Sequence, residues 1–269
     1  MPLPFDPPLS TPELLAAFSG LRDVSPLGTG GQGAVFSALL GSNRVVLKLF
    51  SPSTVTLRVD REIEKLLRVS SPFVVQVYQQ GVVQLRGIET RFTVMEFVEG
   101  GDLTTPAARF TDLETRALIH DMVRAIDAVW QVNVVHRDIK PANILRRING
   151  RFCLIDLGMA RHLDESTMTQ AGWACGTVGY MSPEQATGRR ALTFRSDLFA
   201  LGLVAFEKAS GLHPYQRQQG QIGRVPPPPL QIVAPHIAPS TARLILALLT
   251  PNAMLRPTCT QVLAATGSF

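Results

Sequence analysis

The hydrophobic pattern of this chain changes period once, near residue 100, and that change limits what the chain can fold into. Before it, apolar residues come in short strand-like runs: LGTGGQGAVFSALL and RVVLKLF around a turn at GSN, then FVVQVYQQGVV and IETRFTVMEFV. A period of two turns one face of a strand inward, so residues 21–98 read as β-structure. One helix interrupts it, RVDREIEKLLRV at 58–69, with Ile63, Leu66 and Leu67 on one face. From about residue 103 the spacing is helical, at 113–131, 196–211 and 241–250. Between the halves, VEGGDL at 98–103 reads as a glycine-containing linker, with a cleft between two lobes.

Composition narrows the function. A chain of 269 residues, 45% hydrophobic, can bury a full core. Lys and Arg outnumber Asp and Glu by 26 to 21, which suits an anionic ligand such as a nucleotide and equally suits solubility. The basic residues are scattered and aromatics make up only 7%, so the stripe and stacking surface of a nucleic-acid binder are missing. Cys153, Cys175 and Cys259 lie far apart without CxxC spacing, which indicates neither a disulfide framework nor a zinc site and fits a reducing cytosol. The start, MPLPFDPPLS, lacks the basic and apolar regions of a signal peptide, and no apolar run is long enough to span a bilayer, so the expected location is cytoplasmic. The amphipathic TPELLAAF that follows is expected to dock on the small lobe.

LGTGGQGAVF places Gly28, Gly30 and Gly33 in GxGxxG spacing, where a missing Cβ lets backbone approach phosphate. A dinucleotide fold would continue into a helix; here a strand, a turn and a second strand follow, which favours a hairpin lid over phosphates against a plain glycine-rich turn. Lys48 ends the second strand between Leu47 and Leu49, where a lone ammonium would be costly, so it needs an anion. Glu62 on the predicted helix can supply the carboxylate that holds it against a nucleotide's phosphates; Glu64 is the competitor, and each glutamate has an arginine four residues away with which it could instead form a solvated pair. In the polar stretch VVHRDIKPANIL, Asp138 can orient a hydroxyl, while Asn143 and Asp156 of CLIDLG offer two oxygen ligands to Mg²⁺, with CLI a buried strand delivering Asp156. Turn, cap and core roles exist for each residue singly and do not explain their order together.

These motifs resemble the protein kinase family, most closely its bacterial serine/threonine members. The glycine loop at 28–35, VVLK, HRDIKPAN, DLG, GTVGYMSPE, SDLFALG and LRPT occur in the family's order, from about Leu21 to Leu263. The resemblance implies the bilobal α+β kinase fold: an extension over 1–20, then a kinase domain over 21–264 with a small β-rich lobe at about 21–95, one main helix in it, a hinge at about 96–101 and a larger, mainly α-helical lobe at about 102–264. It implies ATP and Mg²⁺ as cofactors and a protein substrate with Ser or Thr acceptors. Gly28, Gly30 and Gly33 would cover the phosphates; Lys48 and Glu62 would position them; Asn143 and Asp156 would hold the metal. Asp138 would accept the hydroxyl proton and Lys140 neutralise the transferred phosphate. Leu27, Val35 and Val46 would line the adenine pocket, Met95 guard its back, Glu96 to Val98 meet the base, and Asp102 reach the ribose. Glu184 and Arg256 resemble the family's structural ion pair.

Leu157 replaces the family's commoner Phe after Asp156, and Val46 its usual Ala, which narrows the adenine pocket. The proline-rich 216–239 is short of the helix on which many kinases dock substrates. Arg137 implies binding of a phosphorylated residue in the activation segment, Thr169 first and Thr167 second, by autophosphorylation; Cys175 nearby is a quiet thiol or a redox-sensitive one. Two other functions share parts of this pattern. A pseudokinase normally lacks Lys48, Asp138 or Asp156, and a small-molecule kinase is not expected to carry GTVGYMSPE. Partners expected are a protein substrate and the chain itself, with no nucleic acid and no membrane span; a homodimer stays open.

Overall fold

The computed structural model describes Phe5 and residues 8–30, 33–51, 67–104, 109–156, 176–188 and 192–267. These fall into two compact units, one holding described residues of Met1–Ser70 and Val75–Val98, the other those of Ser71–Val74 and of the chain from Glu99 on, apart from a few that lie outside the described set.

The first unit is an antiparallel sheet of β1 (Leu21–Gly30), β2 (Gly33–Leu40), β3 (Asn43–Phe50), β4 (Val77–Leu85) and β5 (Ile88–Glu96), ordered β1-β2-β3-β5-β4. Two-residue turns set its register. Arg86 and Gly87, with φ of 52° and 76°, join β4 to β5 with Leu85 opposite Ile88, as a turn that matches strand twist requires. Alternation then divides the side chains. Ala34, Phe36 and Ala38 of β2 and Val45, Leu47 and Leu49 of β3 enter one buried core with Phe92 and Val94. Helix α1 (Thr11–Ala17) contributes Leu14 to the same core, fully buried, while Phe18 meets Phe92 edge-on at 4.9 Å. Its start is fixed by a Ser10–Glu13 capping box, and Arg86 Nε donates to Glu13 at 2.7 Å. The amphipathic segment thus docks on the small unit, as expected. Of the helix expected at 58–69, only Leu67, Arg68 and Val69 are described, the first two in a turn; Glu62 and Glu64 lie outside the described residues.

The second unit carries a small sheet of β6 (Gly100–Asp102), β7 (Ile144–Arg147) and β8 (Phe152–Leu154). The expected linker therefore contributes a strand. Gly100 makes this pairing close: φ is 152°, and a Cβ there would overlap the carbonyl of Arg146. Helix α2 (Asp112–Gln131) starts on a Thr111–Glu114 capping box and buries Leu118, Ile119, Met122, Val123, Ile126 and Val129 on one stripe. Short α3 (Pro183–Ala186) precedes α4 (Phe194–Ser210), which is buried almost all round and stops at Gly211 with φ 74°. Then come α5 (Leu230–Val233), α6 (Pro239–Leu248) and α7 (Cys259–Thr266). Within 216–239, helix amounts to a single turn at Gln219–Gln221 and the four residues of α5, as its prolines require, before α6 begins at Pro239. No helix among the described residues is long and apolar enough to cross a membrane.

Candidate active site

Two sets of predicted residues are gathered, one on each unit. In the first unit, register places Val35 opposite Lys48, Val46 opposite Met95 and Lys48 opposite Thr93. Residues directly opposite share a face, so Val35, Val46, Lys48 and Met95 lie together on the face turned away from the Leu14 core. Lys48 is 7% exposed, and its Nζ stands 5.4 Å from the Phe50 ring centroid. Gly28 pairs with Val35, and Leu27 beside it is exposed. The backbone demands glycine at Gly33: φ is 149°, and a Cβ would overlap the Leu49 carbonyl. At the end of β5, Glu96 donates its N–H to Gln76 O at 2.8 Å, and Val98 is buried.

The second set is the polar loop between α2 and β7. Its scaffold is Asp197 at the start of α4, whose carboxylate accepts from His136 N at 2.9 Å and Arg137 N at 2.8 Å. Burial raises the Asp197 pKa, while the His136 ring and these amides pull it back. Arg137 is held in a left-handed conformation, φ 65°, with its carbonyl accepting from Gln185 Nε2 at 2.7 Å. His136 Nδ1 accepts from Asp138 N at 3.3 Å, which leaves the proton on Nε2, 3.3 Å from Ile155 O. The ring thereby ties the loop to the segment that carries Asp156.

Around Asp138, 5% exposed, the donors converge. Oδ1 accepts from Thr177 Oγ1 at 2.6 Å and Thr177 N at 3.1 Å; Oδ2 accepts from Lys140 Nζ at 3.0 Å and Asn143 Nδ2 at 3.1 Å. Lys140 also donates to Thr177 Oγ1 at 2.9 Å. A carboxylate so held is fixed in direction, as a group that must orient a hydroxyl needs to be. Asn143 closes a single helical turn, Pro141–Asn143, and its carbonyl accepts from Ile155 N at 2.9 Å. With Nδ2 committed to Asp138, its amide oxygen is the atom left for a ligand. That oxygen and the Asp156 carboxylate form a hard donor set that fits a small divalent cation. Among the described residues no group of three or more His, Cys, Asp or Glu could hold a metal, so these two oxygens need phosphate or water to complete a coordination shell. Asp102 accepts from Thr104 N at 2.8 Å, capping the turn after β6.

Glu184 and Arg256 form a two-pronged pair at 2.6 and 2.9 Å, with Arg256 fully buried. Burial raises the Glu184 carboxyl, but the guanidinium outweighs it and holds the pKa below its usual value. Thr177 and Asp197 are working parts that the sequence reading left inside their motifs without roles; the quoted GTVGYMSPE and SDLFALG were the available signal. Leu157, Thr167, Thr169 and Cys175 lie outside the described residues.

A family model described as protein kinase domain matches residues 21–266. A probable serine/threonine-protein kinase of Corynebacterium efficiens is 31% identical over 234 residues, 80% of this chain and 35% of its own length. Serine/threonine-protein kinase PknD of Mycobacterium tuberculosis is 31% identical over 261 residues, 87% of this chain and 39% of itself. Serine/threonine-protein kinase pkn3 of Myxococcus xanthus is 32% identical over 264 residues, 89% and 48% respectively. The chain thus spans about a third to a half of the curated relatives it matches.

Proposed function

Because this chain belongs to the protein kinase family, we propose that it is an active serine/threonine kinase of the bacterial type, moving the γ-phosphate of Mg-ATP to Ser and Thr hydroxyls of proteins. The observation that carries this reading is Asp138, held by Lys140, Asn143 and Thr177. The Asp138 carboxylate, held in place beside an acceptor hydroxyl, takes its proton as the phosphorus bond forms, and Lys140 beside it offsets the charge of the moving phosphoryl group. Lys48 grips the α- and β-phosphates, with Glu62 as its carboxylate, while Gly28, Gly30 and Gly33 let the hairpin backbone approach them. Leu27, Val35, Val46 and Met95 take the adenine, the backbone of Glu96 to Val98 its edge, and Asp102 the ribose. Asn143 and Asp156 would hold Mg²⁺, which would supply positive charge to offset that of the phosphates.

Domain limits follow the same reading: an extension to residue 20, a kinase domain over 21–264 and a hinge at about 96–101. The enzyme works in the cytoplasm and phosphorylates Thr169 or Thr167 of its own activation segment. The test is Mg-ATP phosphorylation of the purified chain, alone and with myelin basic protein, beside Asp138→Asn. Removing a general base lowers kcat by about 10²–10⁴, with nucleotide binding kept. Equal transfer by both proteins, or none by either while ATP binds, overturns the reading.

A further inference from the structure

The segment after α4 does more than connect helices. Backbone approaches and side-chain hydrogen bonds tie it to residues 179–183, the part of GTVGYMSPE that the kinase reading makes the floor under an acceptor peptide. Gly179 has φ 91°, and a Cβ there would meet Arg217 Cβ at 2.9 Å and Cα at 3.0 Å, so the two backbones touch. Gln216 and Arg217 adopt left-handed φ of 48° and 61° to make this approach. Gly223, φ 75°, abuts the side-chain ring of Pro183, its Cβ position 2.7 Å from Pro183 Cγ.

Between these two close approaches, one side chain spans the floor. Gln219 Oε1 accepts from Gly179 N at 3.0 Å, and its Nε2 donates to Met181 O at 2.9 Å. A carboxamide bonded to the N–H of one residue and the carbonyl of the next but one bridges the turn between them and fixes both backbone groups. His213 completes the grip: Nε2 lies 2.9 Å from Gly179 O, while Nδ1 accepts from Tyr215 N at 3.2 Å and Arg217 N at 2.9 Å. That arrangement needs the neutral ring with its proton on Nε2, and burial favours the neutral form, with Glu207 opposing. Tyr180, between the two gripped residues, donates to Glu207 at 2.5 Å, and Arg217 joins the same carboxylate at 2.9 Å. The exposed side chain of this stretch is Val178, 66% accessible.

We infer that Gln219 is a positioning residue for the protein acceptor: with His213 it clamps the backbone of Gly179 to Met181 so that Val178 is presented as a fixed apolar contact beside the acceptor. The inference rests on the kinase reading above. It also gives 216–239 a role, since the segment short of a docking helix instead holds the floor from beneath.

The test pairs steady-state kinetics with hydrogen exchange on the full chain, using Mg-ATP and myelin basic protein. Gln219→Ala removes both bonds; Gln219→Glu keeps the acceptor for Gly179 N and loses the donor to Met181 O. Gln221→Ala, a neighbour bonded to Gln218, is the control. Loss of two hydrogen bonds predicts an apparent KM for the acceptor raised about tenfold in Gln219→Ala, less in Gln219→Glu, with KM for ATP kept. Exchange at residues 178–182 should quicken in Gln219→Ala, while the His136 and Arg137 amides held by Asp197 stay protected. An unchanged acceptor KM, a parallel rise in KM for ATP, or unchanged exchange at 178–182 each overturns the inference. Absence of transfer by the wild type overturns the kinase reading instead, and the exchange arm then still decides whether Gln219 clamps the floor.

Discussion

Thr177 is the residue whose removal separates holding Asp138 from merely having it. Its hydroxyl donates to Asp138 Oδ1 and accepts from Lys140 Nζ, so one small group fixes both the carboxylate and the ammonium. In Thr177→Ala both bonds go while the backbone N–H bond to Asp138 stays. Each bond to a charged group is worth about 1.5–3 kcal/mol, so kcat should fall at least about tenfold. Thr177→Ser keeps the hydroxyl and should recover most of the rate; a serine variant as slow as the alanine one would show that the methyl group, not the bonding, matters. The sequence placed Asp138, Lys140 and Asn143 together because they are five residues apart in one loop. Thr177 is far along the chain, and only folding brings it to them.

At the scale of elements, the strands were readable, since period two needs no partner to be seen, but the register of β2, β3 and β5 is what gathers Val35, Val46, Lys48 and Met95 on one face. The helix α1 was readable as amphipathic, but the sheet face that it covers depends on the register of β2, β3 and β5. Leu14 is fully buried in that core, so Leu14→Ala should cost about 2–5 kcal/mol, measured by denaturant unfolding. Leu15 on the same helix is 40% exposed, and Leu15→Ala should change stability by less than about 1 kcal/mol. Equal losses at the two positions would mean that α1 does not dock as described. The stretch 98–103 was read as a linker because two glycines weaken strand propensity; pairing with β7 overrides that, and Gly100 is what allows the close approach.

At the scale of the whole molecule, the kinase reading has a bulk signature, because a nucleotide that binds the folded chain stabilises it by linkage. Mg-ATP at about 100 times its Kd should stabilise the fold by about 2.7 kcal/mol, raising the melting temperature by about 5–10 °C. Chelating the metal with EDTA should remove most of that rise, and Asp156→Asn should abolish its metal dependence. A rise that is the same with EDTA would argue against Asn143 and Asp156 as metal ligands. What the sequence by itself determined is the order of motifs, the change from β to α near residue 100 and the hard-oxygen chemistry of the polar loop, because all of these depend on residue type and short spacing. What only the tertiary structure decided is who holds whom: Asp197 under the backbone of His136 and Arg137, Thr177 on Asp138, and Gln219 on Gly179 and Met181. Those partners lie between 38 and 61 residues apart, and a hydrogen bond of about 3 Å is set by where helices and turns come to rest, which local pattern does not encode.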